Sequence, residues 1–389
     1  GAALGDGNIA IGYQSMQNAN SSAFHRNVAI GYQTMANVGS NGPDDNNALG
    51  YRALQSITTG AGNTAVGSFA LGQRTTGFYN VAVGKNALSG SATGNYSVAV
   101  GVDAMKAGAS GSNNVAIGYN AGTAINTGGN NVAVGHSAGE AITSGTENVA
   151  VGFQALRLVT TAASNVAIGN EAMENNVAAN NVAVGTKSLR ANTTGTNNTS
   201  IGTNSLLTNS TGVGLTAVGF EALEANTTGS RNQAIGYAAM KANTTGTHNV
   251  AIGKEALTTN TTASENVAIG QRALYVNNGA NNVSVGSSSM LDNTTGANNV
   301  AVGKHALYNN TTADNNTAVG DQALQGNTTG ASNVAVGAAA MFQNTTASSN
   351  VAIGKNAMYS NTTGTRNIAI GDTAYDSSDT ENDNIAIGY

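Results

Sequence analysis

Hydrophobic residues in this chain arrive in short bursts. A tetrapeptide such as Val-Ala-Val-Gly at 300–303 is followed by a polar stretch rich in Asn, Thr and Gly, and then the burst returns. With the closing glycine as anchor, 23 bursts can be placed from Gly12 to Gly388. The spacing is 17 residues, except for two steps of 19 (to Gly31 and Gly50) and two of 16 (to Gly185 and Gly286). Within a burst, large apolar residues alternate with Ala, which is the period of a strand. A helix would need apolar residues three and four apart over ten or more positions.

Each column of the repeat has its own chemistry. The residue before the anchor is always Val, Ile or Leu; the residue three before it is Val or Ile in 17 of 23 repeats; Ala lies between them in all but two, Ser200 and Ser284. Four before the anchor, 21 of 23 residues are Asn, the exceptions being Ser97 and Leu215. Leu or Met occupies most positions four after the anchor, and all eight Met of the chain lie there. The anchor glycine implies a turn with positive φ. The Leu/Met column predicts a second short strand, and Asn-Thr-Thr-Gly a closing turn.

Such units cannot bury their apolar face alone, so they stack. The expected fold is all-β: a parallel β-solenoid of about 23 coils, a single repeat domain over residues 1–389. Its first coils (1–50) are irregular, 51–375 regular, and the last coil (376–389) acidic. At a ladder spacing of about 4.8 Å the stack would reach about 105 Å. The Asn column, placed inward, can hydrogen-bond along it.

With Val300, Val302 and Leu307 inward, a coil has a thin core that barely offsets the entropy of ordering it. The Ala column would then face outward. Ala is a poor strand former on a solvated face, so a persistent Ala column suggests contact with other copies, a homotrimer through that column. The alternative is that Ala lines the inside of a flattened roll.

The unit N-x-V-A-[IV]-G-x-x-A-[LM] resembles the head repeats of YadA-like trimeric autotransporter adhesins. The longer form carrying NTTG is similar to the shafts of phage tail fibres. The resemblance covers the chain from Asn8 to Tyr389. It implies a trimer of left-handed β-rolls. The left hand rests on the resemblance alone, since the general crossover rule favours the right hand. It also implies an extracellular attachment role, on a virion tail fibre or a bacterial surface, with a glycan or protein receptor. The alternative is a structural subunit of an extracellular filament with no receptor. The period of 17 exceeds that of the adhesin heads, and no coiled-coil neck accompanies it.

Composition narrows the rest. Only 9% of residues are charged, Cys and Trp are absent, and the net charge of −5 is spread thinly. The 15 Lys and Arg form no run, which argues against nucleic acid or a polybasic membrane surface. No apolar stretch approaches the roughly 18 residues of a membrane span. Ala3-Leu4 has the look of the end of a broken coil.

Candidate chemistry is sparse. His25, His136, His248 and His305 share no column in neighbouring coils, so no metal site is expected. Glu221 and Glu255 share a column two coils apart, about 9.6 Å by ladder spacing. That separation suits an inverting glycosidase, but this column also takes Gln, Asn and Lys, so no catalytic residue and no cofactor are assigned. Nine Asn-Thr-Thr sequons, Asn310 among them, lie mostly one coil apart; they read as turns rather than glycan sites. For binding, Tyr13, Tyr32 and Tyr51 follow the first three anchors, forming either an aromatic stripe for a glycan or a cap over the irregular coils. The loop Val38–Asn47, with Pro43, Asp44 and Asp45, reads as the main protrusion and a possible contact or cation site. Asp376–Asp383 reads as a solvated turn.

Overall fold

The computed structural model describes residues 5–19, 24–39, 42–91, 93–377 and 379–388. The chain divides into two compact units, residues 1–194 and 195–389. Among the described residues, the first unit carries eleven three-residue strands, from Ile9–Ile11 to Val182–Val184, and the second carries twelve, from Thr199–Ile201 to Ile385–Ile387. There is no helix among them. Within each unit consecutive strands pair in parallel and in register. Val300, Ala301 and Val302, for example, lie beside Thr317, Ala318 and Val319. Each unit is therefore a parallel β-solenoid with one coil per repeat.

The anchor glycine sets the first corner. Gly303 has φ 137°, and a Cβ there would collide with the carbonyl oxygen of Gly320 one coil on. The same arrangement recurs from Gly12 to Gly371, which explains why no other residue takes the column.

The two faces of the strand are the reverse of the expectation. Ala301 is fully buried within the single chain, and its column is buried throughout the regular coils, whereas Val302 is 37% exposed and Val300 half-buried. Ala thus lines the roll, and an interface through the Ala column is overturned. The space behind the strand is filled by Ala306 and Leu307 from the far side of the coil. Little more than a methyl group fits opposite them, so the larger Val and Ile side chains face out.

The Leu/Met column is not a second strand either. Ala306 and Leu307 are adjacent and both buried, which an extended strand with alternating faces cannot achieve. The chain solves this with left-handed backbone at His305 (φ 56°) and Leu307 (φ 50°). Left-handed geometry costs an L-residue about 1–2 kcal/mol. Burying a leucine side chain returns about 1.5–3 kcal/mol. The N–H of Leu307 still reaches the next coil, donating to Ala323 O at 3.0 Å.

Two Asn ladders complete the core. In the expected one, Asn316 N–H donates to Asn299 Oδ1 (2.9 Å), and its Nδ2 donates to Gly330 O in the next coil (2.9 Å). The other consists of the sequon asparagines. Asn310 is fully buried, and its Nδ2 donates to Asn293 Oδ1 (2.7 Å) and Ala313 O (3.1 Å). Buried amides satisfied in this way add specificity, and among the described residues of the two ladders orphan oxygens are left only where a run stops, at Asn260 and Asn361.

Length variation is absorbed next to that ladder. In a 17-residue coil Asn293 Nδ2 reaches Gly296 O, three residues on; in a 16-residue coil Asn277 Nδ2 reaches Gly279 O, two residues on. The strand register continues, with Val267 beside Val283, and Asn293 donates to Asn277 Oδ1, but the ladder loses one rung here: Asn277 Nδ2 turns to Gly279 O and leaves Asn260 Oδ1 without a donor. In the 19-residue coils, residues 20–23 and 40–41 lie outside the described residues, as do Ala3-Leu4. The described part of the Val38–Asn47 loop does not protrude: Val38 and Pro43 are buried, and Pro43 O accepts from Asn27 Nδ2 at 2.8 Å.

The face assignment is testable by substitution. Ala301→Val should overpack the roll and cost about 1–3 kcal/mol. Val300→Thr, which copies Thr317 in the next coil, should change little. Urea unfolding followed by circular dichroism checks both, and a tolerated Ala301→Val would reverse the assignment.

Candidate functional site

With the core filled by Ala, Leu, Met and Asn, the chemically varied columns all lie outside. The first is the residue after the anchor. Tyr13, Tyr32 and Tyr51 are brought together here as a stack, with ring centroids 5.1 and 5.3 Å apart and planes within 16° and 10°. Their ring faces are turned to one another, so the stack offers solvent its edges and hydroxyls. Ring contacts recur elsewhere, tilted at Tyr119–His136 and stacked at His136–Phe153, Phe220–Tyr237 and Phe342–Tyr359. Aromatic stacking is thus a general way of joining neighbouring coils, each pair contributing about 0.5–1.5 kcal/mol beyond its burial. At the first stack the Arg52 guanidinium lies over Tyr51, 5.1 Å from the ring centre.

Asp44 and Asp45 serve the chain itself. Asp44 accepts the His25 backbone N–H (2.7 Å), and Asp45 takes a two-point contact from Arg26 (2.6 and 2.9 Å). Among the described residues, no three His, Asp or Glu side chains converge to hold a metal ion. His136 is sandwiched between Tyr119 and Phe153, and His248 lies 3.2 Å from Arg231.

Glu221 and Glu255 each have a basic partner: Lys241 at 2.6 Å for Glu221 and Arg272 at 2.7 Å for Glu255. The hydrogen bond from Arg272 holds the Glu255 carboxyl below its usual range. That is the opposite of what a general acid needs. The same alternation builds a ladder in the first unit, where Glu174 bridges Arg157 and Arg190 of the flanking coils at 2.9 Å each. In the acidic last coil, Asp379 accepts from the Thr362 hydroxyl, and Asp383 holds Arg366 at 2.6 and 2.8 Å.

Two features escaped the sequence reading. One is a groove of about 240 Å³ on the first unit, lined by Phe69, Gly72, Gln73, Asn86, Ser89 and Lys106. It opens where Gly72 and Ser89 fill a column that holds Arg157, Glu174 and Arg190 in later coils. The other is Arg74, which takes the place of the sequon Asn yet is fully buried, with no hydrogen-bond partner for its guanidinium. Desolvation pushes it down to about 10, so it remains a cation at neutral pH. The visible signal for both was a break in column chemistry, Gly72 and Arg74 standing two residues apart.

The most extensive apolar feature is the outer strand face. Ile117, Ile168, Ile201, Ile252, Val302 and Ile353 are all more than a third exposed, coil after coil in the same column. No protein-family model matches the chain, and no curated protein matches it.

The ion-pair ladders fix a pH response. Arg26, Arg272 and Arg366 hold Asp45, Glu255 and Asp383 below their usual values through hydrogen bonds. Their stabilisation is present above the unfolded carboxylate range near pH 4 and is lost as pH falls through the lower folded values. The unfolding midpoint should therefore drop on acidification to pH 3. The drop should be smaller in 1 M salt, which screens exposed pairs, and smaller in Glu255→Gln.

Proposed function

We propose that this chain is a rigid segment of an extracellular attachment fibre, on a phage tail or a bacterial surface. In this reading it assembles as a homotrimer and presents a receptor- or glycan-binding surface along its length. The observation that carries the reading is the outward Val and Ile column. A monomer rarely leaves so regular an apolar row in water. Three copies packed strand face to strand face would bury that row and supply the core that the narrow roll lacks. The interface proposed is therefore the Val/Ile face in place of the Ala column.

The resemblance of N-x-V-A-[IV]-G-x-x-A-[LM] to YadA-like adhesin heads and tail-fibre shafts supports the same assembly and the surface location. The constant interior and variable exterior suit the role. Side chains outside the strand face change from coil to coil without disturbing the ladders. The stack of Tyr13, Tyr32 and Tyr51, with Arg52 over it, gives one end of the first unit a distinctive outer surface. No helix of the described residues is long and apolar enough to cross a membrane.

Light scattering on the purified chain should give a mass three times the 38.5 kDa of one copy. Charging the apolar row in three successive coils, with Val285→Asp, Val302→Asp and Val319→Asp together, should shift the mass toward one chain while the circular dichroism of the coils persists. A wild-type protein that stays monomeric and soluble would overturn the trimer.

A further inference from the structure

We propose that the groove between Phe69 and Lys106 binds an acidic sugar, a carboxylate-bearing ring at an exposed position of a surface glycan. The proposal rests on the attachment reading and names the ligand class for it.

The groove combines the groups such a ligand needs. Phe69 leaves the tyrosine stack, its ring set at 75° to Tyr51, and lines the groove instead. An aromatic side wall suits the apolar C–H face of a sugar ring. The Gln73 amide and the Ser89 hydroxyl line the same space and can bond ring hydroxyls. Asn86, also on the lining, is held by its bond to Asp103 (2.8 Å), which fixes its position in advance. The floor opens because Gly72 and Ser89 project almost nothing. At about 240 Å³ the space suits one ring rather than an extended chain.

Charge decides between a neutral and an acidic ring. Residues 51–106 contain Arg52, Arg74, Lys85 and Lys106 against a single acid, Asp103, while the whole chain carries −5. Lys106 is on the groove, and its separation from Asp103 is 3.6 Å, a loose contact that leaves the ammonium able to take a second carboxylate. Arg74 follows Gln73 in the chain. Its buried guanidinium has no hydrogen-bond partner and adds to the positive balance of this segment. The groove is lined by residues that follow the anchors, and none of them belongs to the outward Val/Ile column.

Glucuronate and glucose test this directly, since they differ only at C6, where a carboxylate replaces the hydroxymethyl group. With the full chain, ligand-observed NMR titration should show glucuronate bound at least tenfold more tightly than glucose. Lys106→Gln should abolish that difference, and Phe69→Ala should weaken both sugars. Lys304→Gln, in the second unit, should alter neither. Circular dichroism and native mass confirm that each variant is folded. Equal affinity for the two sugars, no binding of either, or an unchanged preference in Lys106→Gln overturns the proposal. A labelled chain is then scored for retention on a panel of bacterial and animal cells. Retention of wild type and Lys106→Gln alike keeps the attachment reading and overturns the groove as its site. Failure of the wild type to be retained on any cell overturns the attachment reading itself, whatever the titration gives.

Discussion

The close approach of successive anchor glycines governs everything else in this fold. Up to the last coil of each unit, a glycine lies against the carbonyl group of its counterpart in the next coil, with no room for a Cβ between them. That contact brings the chain sharply back on itself after only three extended residues. The roll that results is narrow. Its interior accepts Ala from the strand, Ala and Leu or Met from the return, and two asparagines, and it rejects anything larger from the strand side. The largest β-branched residues are thereby sent outward, which inverts the usual arrangement of a half-buried strand.

A core this tight must balance volume within each coil. Where the Leu/Met position becomes glycine, at Gly122 and Gly139, the sequon position becomes Ile125 and Ile142, whose Cδ1 atoms lie where the missing side chain would begin. Where the inner Ala becomes Ser, at Ser200 and Ser284, the facing small residue is also Ser, and the hydroxyls of Ser200 and Ser205, like those of Ser284 and Ser289, bond to each other. These paired changes are local answers to close packing: the paired hydroxyls satisfy each other inside the roll, and a lone deletion would leave a cavity. Arg74 is the departure from this rule, a large cation in a column that elsewhere holds Asn, aliphatic or smaller residues, and it follows Gln73 of the groove in the chain.

The coil count, parallel stacking and inward Asn ladder were legible because each leaves a strict period in the residues. The orientation of the strand was not, because Ala and Val alternate in either sense and only the width of the return segment decides which goes in. That width depends on left-handed backbone at positions such as His305 and Leu307, residue types that give no warning of it. The tyrosine stack could be placed from spacing, but its ring faces turning to one another could not. The groove was hidden for a related reason: it is made by small residues, Gly72 and Ser89, whose importance lies in the space they leave.

The ladders also have a mechanical meaning. Within each unit the hydrogen bonds run from coil to coil, through strand N–H groups, through the left-handed return and through the asparagine row before the strand, joined in the second unit by the sequon row. A pull applied across a whole coil, along the stacking direction, stretches all of these bonds at the same moment and shares the load among them. A sideways peel would break them one after another. A unit built this way is strongest against tension along its stacking direction, and its weak point is a coil one residue short, where Asn277 turns to Gly279 and one rung of the sequon ladder is missing.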